Sequence, residues 1–276
     1  MLRKKIHLQP PLLAFAGAAL VLSFIFFLVP MGFIGSYVGT EEKGVVDGLI
    51  SVVNSRLVRV VFANTVEISV SAAILTVLLA YPVALHIVRQ KARWRIVCFS
   101  LVLMPFWTSI LVKSYALLII LGDDGLVNTA LRALFGIDGI NMMFNRFAVL
   151  VGTTNFLVPY AVFPILASLA AQNMQIQRAA EVMGASPLRI FWSITFIQSM
   201  PGVLAALLMC MVISMGFFVT PALLGGRQDM MMANIIDMYT REILDWQSAS
   251  LISVLLLVFS GALSVAILKI QSRTGA

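Results

Sequence analysis

An all-α integral membrane protein with six transmembrane helices is the fold class this sequence predicts, and three observations predict it. Hydrophobic residues make up 61% of the chain and charged ones 11%, with a mean hydropathy of +1.00; ordinary soluble domains are far less apolar. Six apolar runs are long enough to cross a hydrocarbon core of about 30 Å. Basic residues also gather in alternate segments between those runs, as they do when one set of loops stays in the cytoplasm. The whole chain, 1–276, reads as a single transmembrane domain.

The N-terminal MLRKKIHLQPP is a basic leader. The apolar run after it, about 12–35, is read as a first span rather than a cleaved signal, because its core is overlong and no A-x-A site follows. Residues 37–61 are mixed and polar. A second span is expected at about 62–88, closed by the tight basic loop Arg89, Lys91, Arg93 and Arg95, and a third at about 96–121. Residues 122–146 hold GDDGLVNTALRALFGIDG, one short helix between glycine-rich turns. A fourth span covers about 147–171. A long polar loop, 172–201, precedes a fifth span at about 202–224. Another polar loop with an amphipathic helix near 231–244 leads to the sixth, at about 248–270.

Charge orients these spans. With the N-terminus in the cytoplasm, the cytoplasmic segments hold Arg3, Lys4, Lys5, Arg89, Lys91, Arg93, Arg95, Arg178, Arg189, Lys269 and Arg273 against Glu181 alone. The opposite side holds seven basic and ten acidic residues. Both termini are therefore expected inside, and the net charge of +7 is explained by topology without nucleic acid. Cys98 and Cys210 lie inside apolar runs, so no disulfide framework is expected.

The loop at 172–201 is long for a membrane protein, and loops of that length with helix signals tend to be functional. Its core is RAAEVMGASP. Ala179, Ala180, Val182 and Met183 favour helix, and Gly184 ends it. Ser186 and Pro187 are an N-cap and a first-turn proline that start a second helix. The spacing predicts a short helix, a sharp turn and another short helix between the fourth and fifth spans, a shape suited to docking a second protein.

That loop resembles the Glu-Ala-Ala loop of ATP-binding-cassette importer permeases, with Ala179, Ala180, Gly184 and Ile194 at the family's spacing. Arg178 stands where the family carries glutamate, and Ile197 where it carries proline. The segments PFWTSILVKSYALLIIL at 105–121, GLVNTALRALFGI after it, GFFVTPALLGG at 216–226 and DWQSAS at 245–250 are similar to spermidine/putrescine-type permeases. The resemblance implies a multi-pass protein of the bacterial inner membrane, with lipid around it. It also implies a second, different permease subunit, two ATPase subunits carrying ATP and Mg, and a periplasmic solute-binding protein. Coupling to the ATPase would run through Arg178, Ala179, Ala180, Glu181, Gly184, Ala185 and Ser186, in cytoplasmic coupling helices over 176–190. Polyamines, putrescine or spermidine, or a related small organic solute, are the implied cargo.

The chain itself carries no catalytic constellation. It lacks G-x-x-x-x-G-K-[ST], so ATP hydrolysis is expected on a partner chain. His7 and His86 belong to no metal-ligand pattern. Two ionisable residues fall inside expected spans, Glu67 and Lys113. Such groups are costly in a membrane and usually face the bundle interior. Counted from the expected helix ends they lie at similar depth, so they are expected either to pair or to line a substrate path. A secondary transporter and a non-transporting scaffold are the competing function classes; copurification of an ATPase separates them from an importer.

Overall fold

A computed structural model describes residues 10–38, 45–136 and 139–273. Arg3, Lys4, Lys5, Glu41 and Glu42 of the charge pattern lie outside the described residues, as do the side chains of Lys269 and Arg273. Within that range all regular structure is helical. In chain order the helices are α1 (Pro10–Val38), α2 (Val45–Asn54), α3 (Arg56–Arg89), α4 (Ala92–Leu103), α5 (Ile110–Leu121) and α6 (Leu126–Phe135). They continue with α7 (Arg146–Ala170), α8 (Met174–Val182), α9 (Pro187–Met215), α10 (Val219–Leu224), α11 (Met232–Arg241) and α12 (Trp246–Arg273). Among the described residues, α1, α3, α7, α9 and α12 are long and apolar enough to cross a membrane, and a sixth crossing requires a bent pair.

That bent pair corrects the expectation of one continuous third span. Pro105 has no N–H to give, and its ring crowds the carbonyl four residues back. α4 therefore tightens into a 3₁₀ turn at Met104–Trp107. The backbone then runs extended through Thr108 and Ser109. The helix restarts at Ile110, and the direction of the chain changes by 95° across the break.

The fifth span is also displaced. It begins at Pro187, ends at Met215 and is separated from α10. Pro201 lies inside it, tolerated because packed neighbours and local helix adjustment compensate for a lost bond in a buried span. One turn of π-helix at Phe191–Thr195 joins its first turn to the rest. The loop expected over 172–201 therefore contains α8 and the opening turns of α9. α3 starts earlier than expected as well, with Arg59 Nη2 donating to the carbonyl of Asn54 at its outset.

The core is the mutual packing of α3, α7 and α9. Ile68, Ala72, Ala80 and Ala84 of α3, Leu157, Ala161 and Ile165 of α7, and Ala206 and Cys210 of α9 are all fully or almost fully buried. Small side chains let these backbones approach closely, as helix pairs in lipid require. At Gly202 the approach is closest: any β-carbon would run into Ser168 and the carbonyl of Pro164 on α7. α1 is the opposite case. Its span, Ala19–Ser36, buries none of its residues within the chain, and among the described residues its main packing partner is α12.

Candidate functional site

Two constructions stand out, one at each end of α7, a helix of 25 residues and so roughly 37 Å long at the standard rise. At its C-terminal end lies the segment singled out in the sequence. Asn173 caps α8, its side chain accepting from Gln175 N at 2.9 Å. Gly184, at φ +81°, takes the left-handed conformation that closes a helix. Ala185 N then reaches Ala180 O at 3.0 Å and Gly184 N reaches Glu181 O at 2.9 Å, the paired bonds of a Schellman motif. Ser186 and Pro187 open α9 as their types predict.

The segment presents itself to the outside. Arg178, Ala179, Glu181, Gly184 and Ser186 are exposed, Ala185 is intermediate, and Ala180 is buried against the chain. Val182 and Met183 are 90% and 80% exposed, and Leu188 68%. Arg178 and Glu181 share an exposed helix, but the ion pairs among the described residues do not join them. The ridge is therefore apolar at its crest, with Arg178, Glu181 and Arg189 exposed beside it and outside those ion pairs.

α8 is fastened to the span that follows it. Gln172 Nε2 donates to Thr195 O at 2.8 Å. Gln177 Nε2 reaches both Gln172 Oε1 at 3.2 Å and Thr195 Oγ1 at 3.4 Å. The acceptor residue Thr195 belongs to the π-helical turn, where the widened turn alters the regular backbone pattern. These bonds tie the start of α8 to the opening turns of α9. Sequence reading passed over these glutamines, because their signal is a through-space match to a π-turn that has no pattern of its own.

The second construction, at the N-terminal end of α7, centres on Arg146. Its guanidinium bonds to Asp229 Oδ1 from Nε at 3.1 Å and to Asn64 Oδ1 from Nη2 at 3.0 Å. Nη1 pairs with the Glu67 carboxylate. Asn64 Nδ2 in turn donates to Gln228 O at 2.6 Å, and Gly226 N donates to Asp229 Oδ2 at 3.3 Å. Close by, Thr65 Oγ1 accepts from Met232 N at 2.9 Å. One arginine thus clasps α3, α7 and the segment between α10 and α11. Asp229 is only 6% exposed, and its carboxylate is met by the Arg146 guanidinium on one oxygen and by Gly226 N on the other.

The expected pairing of Glu67 with Lys113 is corrected by this arrangement. Glu67 is taken by Arg146. Lys113 lies on α5, beyond the 95° bend, with its ammonium 5.3 Å from the centre of the Phe156 ring, within cation–π range. Phe156 meets Phe217 edge-on at 5.0 Å and stacks with Tyr160 at 5.4 Å. The similar depth inferred for the two residues assumed a straight third span and a later start to the second. Neither assumption holds.

Comparison with known proteins follows from this geometry. Residues 76–274 match the family model described as binding-protein-dependent transport system inner membrane component. The spermidine/putrescine transport system permease protein PotB of Escherichia coli (strain K12) is 31% identical over 202 residues, which is 73% of this chain and 74% of that protein. The molybdenum transport system permease protein ModB of Mycobacterium tuberculosis (strain ATCC 25618 / H37Rv) is 27% identical over 211 residues, 76% of this chain and 77% of that one. A permease-sized chain in the crystal structure of a bacterial alginate ABC transporter, in complex with an alginate pentasaccharide-bound periplasmic protein, superposes with a TM-score of 0.78. That alignment covers 95% of this chain and 94% of that chain at 18% identity.

Proposed function

The chain belongs to the family of binding-protein-dependent transport system inner membrane components and is a permease subunit of an ATP-binding-cassette importer, and from that premise we propose that its cargo is a polyamine, putrescine or spermidine. The likeness to PotB supports the cargo. It is a transport subunit of the inner membrane rather than an enzyme, and it works with ATPase and substrate-binding partners. The proposed assembly has two ATPases that hold ATP and Mg, and a second, different permease. Both termini of this chain face the cytoplasm, and residues 1–276 act as one permease domain. The exposed face of α1 is covered by lipid or by the neighbouring permease, since water is absent there.

In this reading 176–190 docks into the ATPase. The observation that carries it is an ordered ridge, Val182, Met183 and Leu188, exposed beside a Schellman turn and bonded through Gln172 and Gln177 to the next span. Nucleotide-driven movement of the ATPases pushes α8. α8 carries α9 with it, and α9 shifts against α7 and α3 to alternate access. Glu181 supplies the acidic contact that the loop's family draws from the position held here by Arg178, and Arg178 meets an acidic group on the partner. Glu67 and Lys113 take structural roles through Arg146 and Phe156, rather than lining the path. The clasp around Arg146 faces the periplasm.

Reconstitution tests the reading. With its ATPases, second permease and binding protein in proteoliposomes, the chain should take up radiolabelled spermidine or putrescine only when ATP is on the ATPase side. Uptake without ATP, or none of either polyamine, overturns it. In the same assay Arg178→Glu should lower stimulated ATP hydrolysis more at low ionic strength than at high, because salt screens exposed charges. Full coupling in Glu181→Gln removes Glu181 from the docking contact.

A further inference from the structure

The break in the third span lies at the middle of the bundle. Before it, the Phe106 ring is 4.6 Å from that of Tyr160; after it, the Lys113 ammonium is 5.3 Å from the Phe156 ring. Those partners flank Val158, midway between the ends of α7 at Arg146 and Ala170. Between the two anchors the helical ladder is interrupted. Thr108 N donates to Pro105 O at 3.3 Å, and Lys113 N is the first donor of α5 to find a helical partner, Ser109 O at 3.1 Å. No helical turn encloses Thr108 or Ser109, and Ser109 does not cap α5 with its side chain. The N–H groups from Ser109 to Val112, and the carbonyls of Phe106, Trp107 and Thr108, are therefore left without a helical partner.

The chain does not cover this gap. Phe106, Trp107, Thr108, Ser109, Leu111 and Val112 are all exposed, Trp107 to 89%. Lipid cannot be the neighbour. Main-chain polar groups in hydrocarbon forfeit bonds that nothing there replaces, and non-helical backbone persists at that depth only inside protein or beside water. A span of the second permease answers poorly, because its main chain is already bonded within its own helix. It would bring a few side chains to a run of donors and acceptors. Water satisfies all of them. Because N–H and C=O groups lie side by side, the break suits water and polar solutes rather than one seated ion.

We propose that this break, Phe106 to Ser109 with the first turn of α5, is part of the wall of the water-filled path by which solute crosses the permease. The gap is held in shape rather than frayed. Pro105 O accepts from both Thr108 N and, at 2.9 Å, Thr108 Oγ1, which fixes the turn, and Phe106 pins it to α7 through Tyr160. A wall of main-chain groups binds no solute tightly, which suits a path that solute must also leave. The premise is the importer family alone; failure of the polyamine reading leaves this inference standing.

The test places single cysteines in the complete importer, with Cys98 and Cys210 replaced by serine. Ser109→Cys and, should that variant fail to assemble, Trp107→Cys probe the break. Leu78→Cys probes the unbroken α3, where Leu78 is 64% exposed. The reagent is a trimethylammonium-bearing methanethiosulfonate, which attacks only thiols that water allows to ionise. In lipid nanodiscs, open to the reagent on both faces, the break cysteine should react at least ~tenfold faster than Leu78→Cys, because the thiolate is the reactive form. In inverted membrane vesicles its rate should fall ~tenfold when the importer is trapped with ATP and vanadate, since access from one side follows the population open to that side. Silence in nanodiscs puts the break against the second permease or lipid and overturns the proposal. Equal rates at Leu78→Cys mean that exposure alone, not the break, sets reactivity. A rate in vesicles that ignores nucleotide makes the break a static crevice; either result also overturns it.

Discussion

Arg146 shows how one side chain can hold an end of the bundle together. It carries one positive charge against two carboxylates, and their exposures differ sharply, 8% for the Asp229 side chain and 61% for that of Glu67. Removing the cation strands Asp229 away from water, whereas removing Glu67 leaves the buried half intact. Arg146→Met should therefore cost about 2 kcal/mol, the scale of a lost charged hydrogen bond. Glu67→Gln should cost under about 1 kcal/mol, as exposed pairs do. Thermal unfolding of the two variants in detergent measures the order, and a larger loss for Glu67→Gln refutes this account. The sequence flagged Glu67 for being charged inside an apolar run, but its partner was counted as a loop residue. Asn145 was the available cue: its side chain caps α7 by accepting from Ala148 N at 3.0 Å, which makes Arg146 the first residue of a span. Asp229 had no cue, since 83 residues separate it from Arg146.

Among the elements, α8 and α9 behave as a unit because of where their polar side chains go. Gln177 bridges Gln172 and Thr195, and the π-turn that offers Thr195 lies at the root of the span. If motion passes through that junction, Gln177→Ala should halve, or lower further, the solute moved per ATP while the complex still assembles. Thr195→Val should do the same, and the double variant should add little, because both remove one shared contact. Losses that multiply would mean two independent effects. Helix boundaries were legible where local chemistry sets them: Gly184 and Ser186–Pro187 end α8 and start α9 as their residue types require. They were not legible where tertiary packing overrides a breaker. Pro201 reads as the edge of a loop, yet it sits within α9 because α7 packs against that face, with Gly202 next to it in closest contact. Pro105 is the converse, a proline in an apparently continuous run that does break its helix.

For the whole molecule, the proposed orientation places the α8 ridge in the cytoplasm and the Arg146 clasp outside. A single cysteine introduced at exposed Val182, in a chain whose Cys98 and Cys210 are replaced by serine, should react with a membrane-impermeant maleimide only in inverted vesicles. A cysteine at exposed Asp124 should react only in spheroplasts; the reverse pattern, or labelling of both from one side, refutes the topology. By itself the sequence determined the membrane class, the alternation of basic segments, the family resemblance and the residues of the turn between α8 and α9. Those properties are carried by composition and by neighbours within a helical turn or two, where propensity and hydropathy act. Only the tertiary structure decided the 95° break of the third span, the merging of the 172–201 loop into α9, and the transfer of Glu67 from Lys113 to Arg146. Each of these depends on which distant backbones come close enough to satisfy or strand a polar group, and that distance is not written in the local sequence.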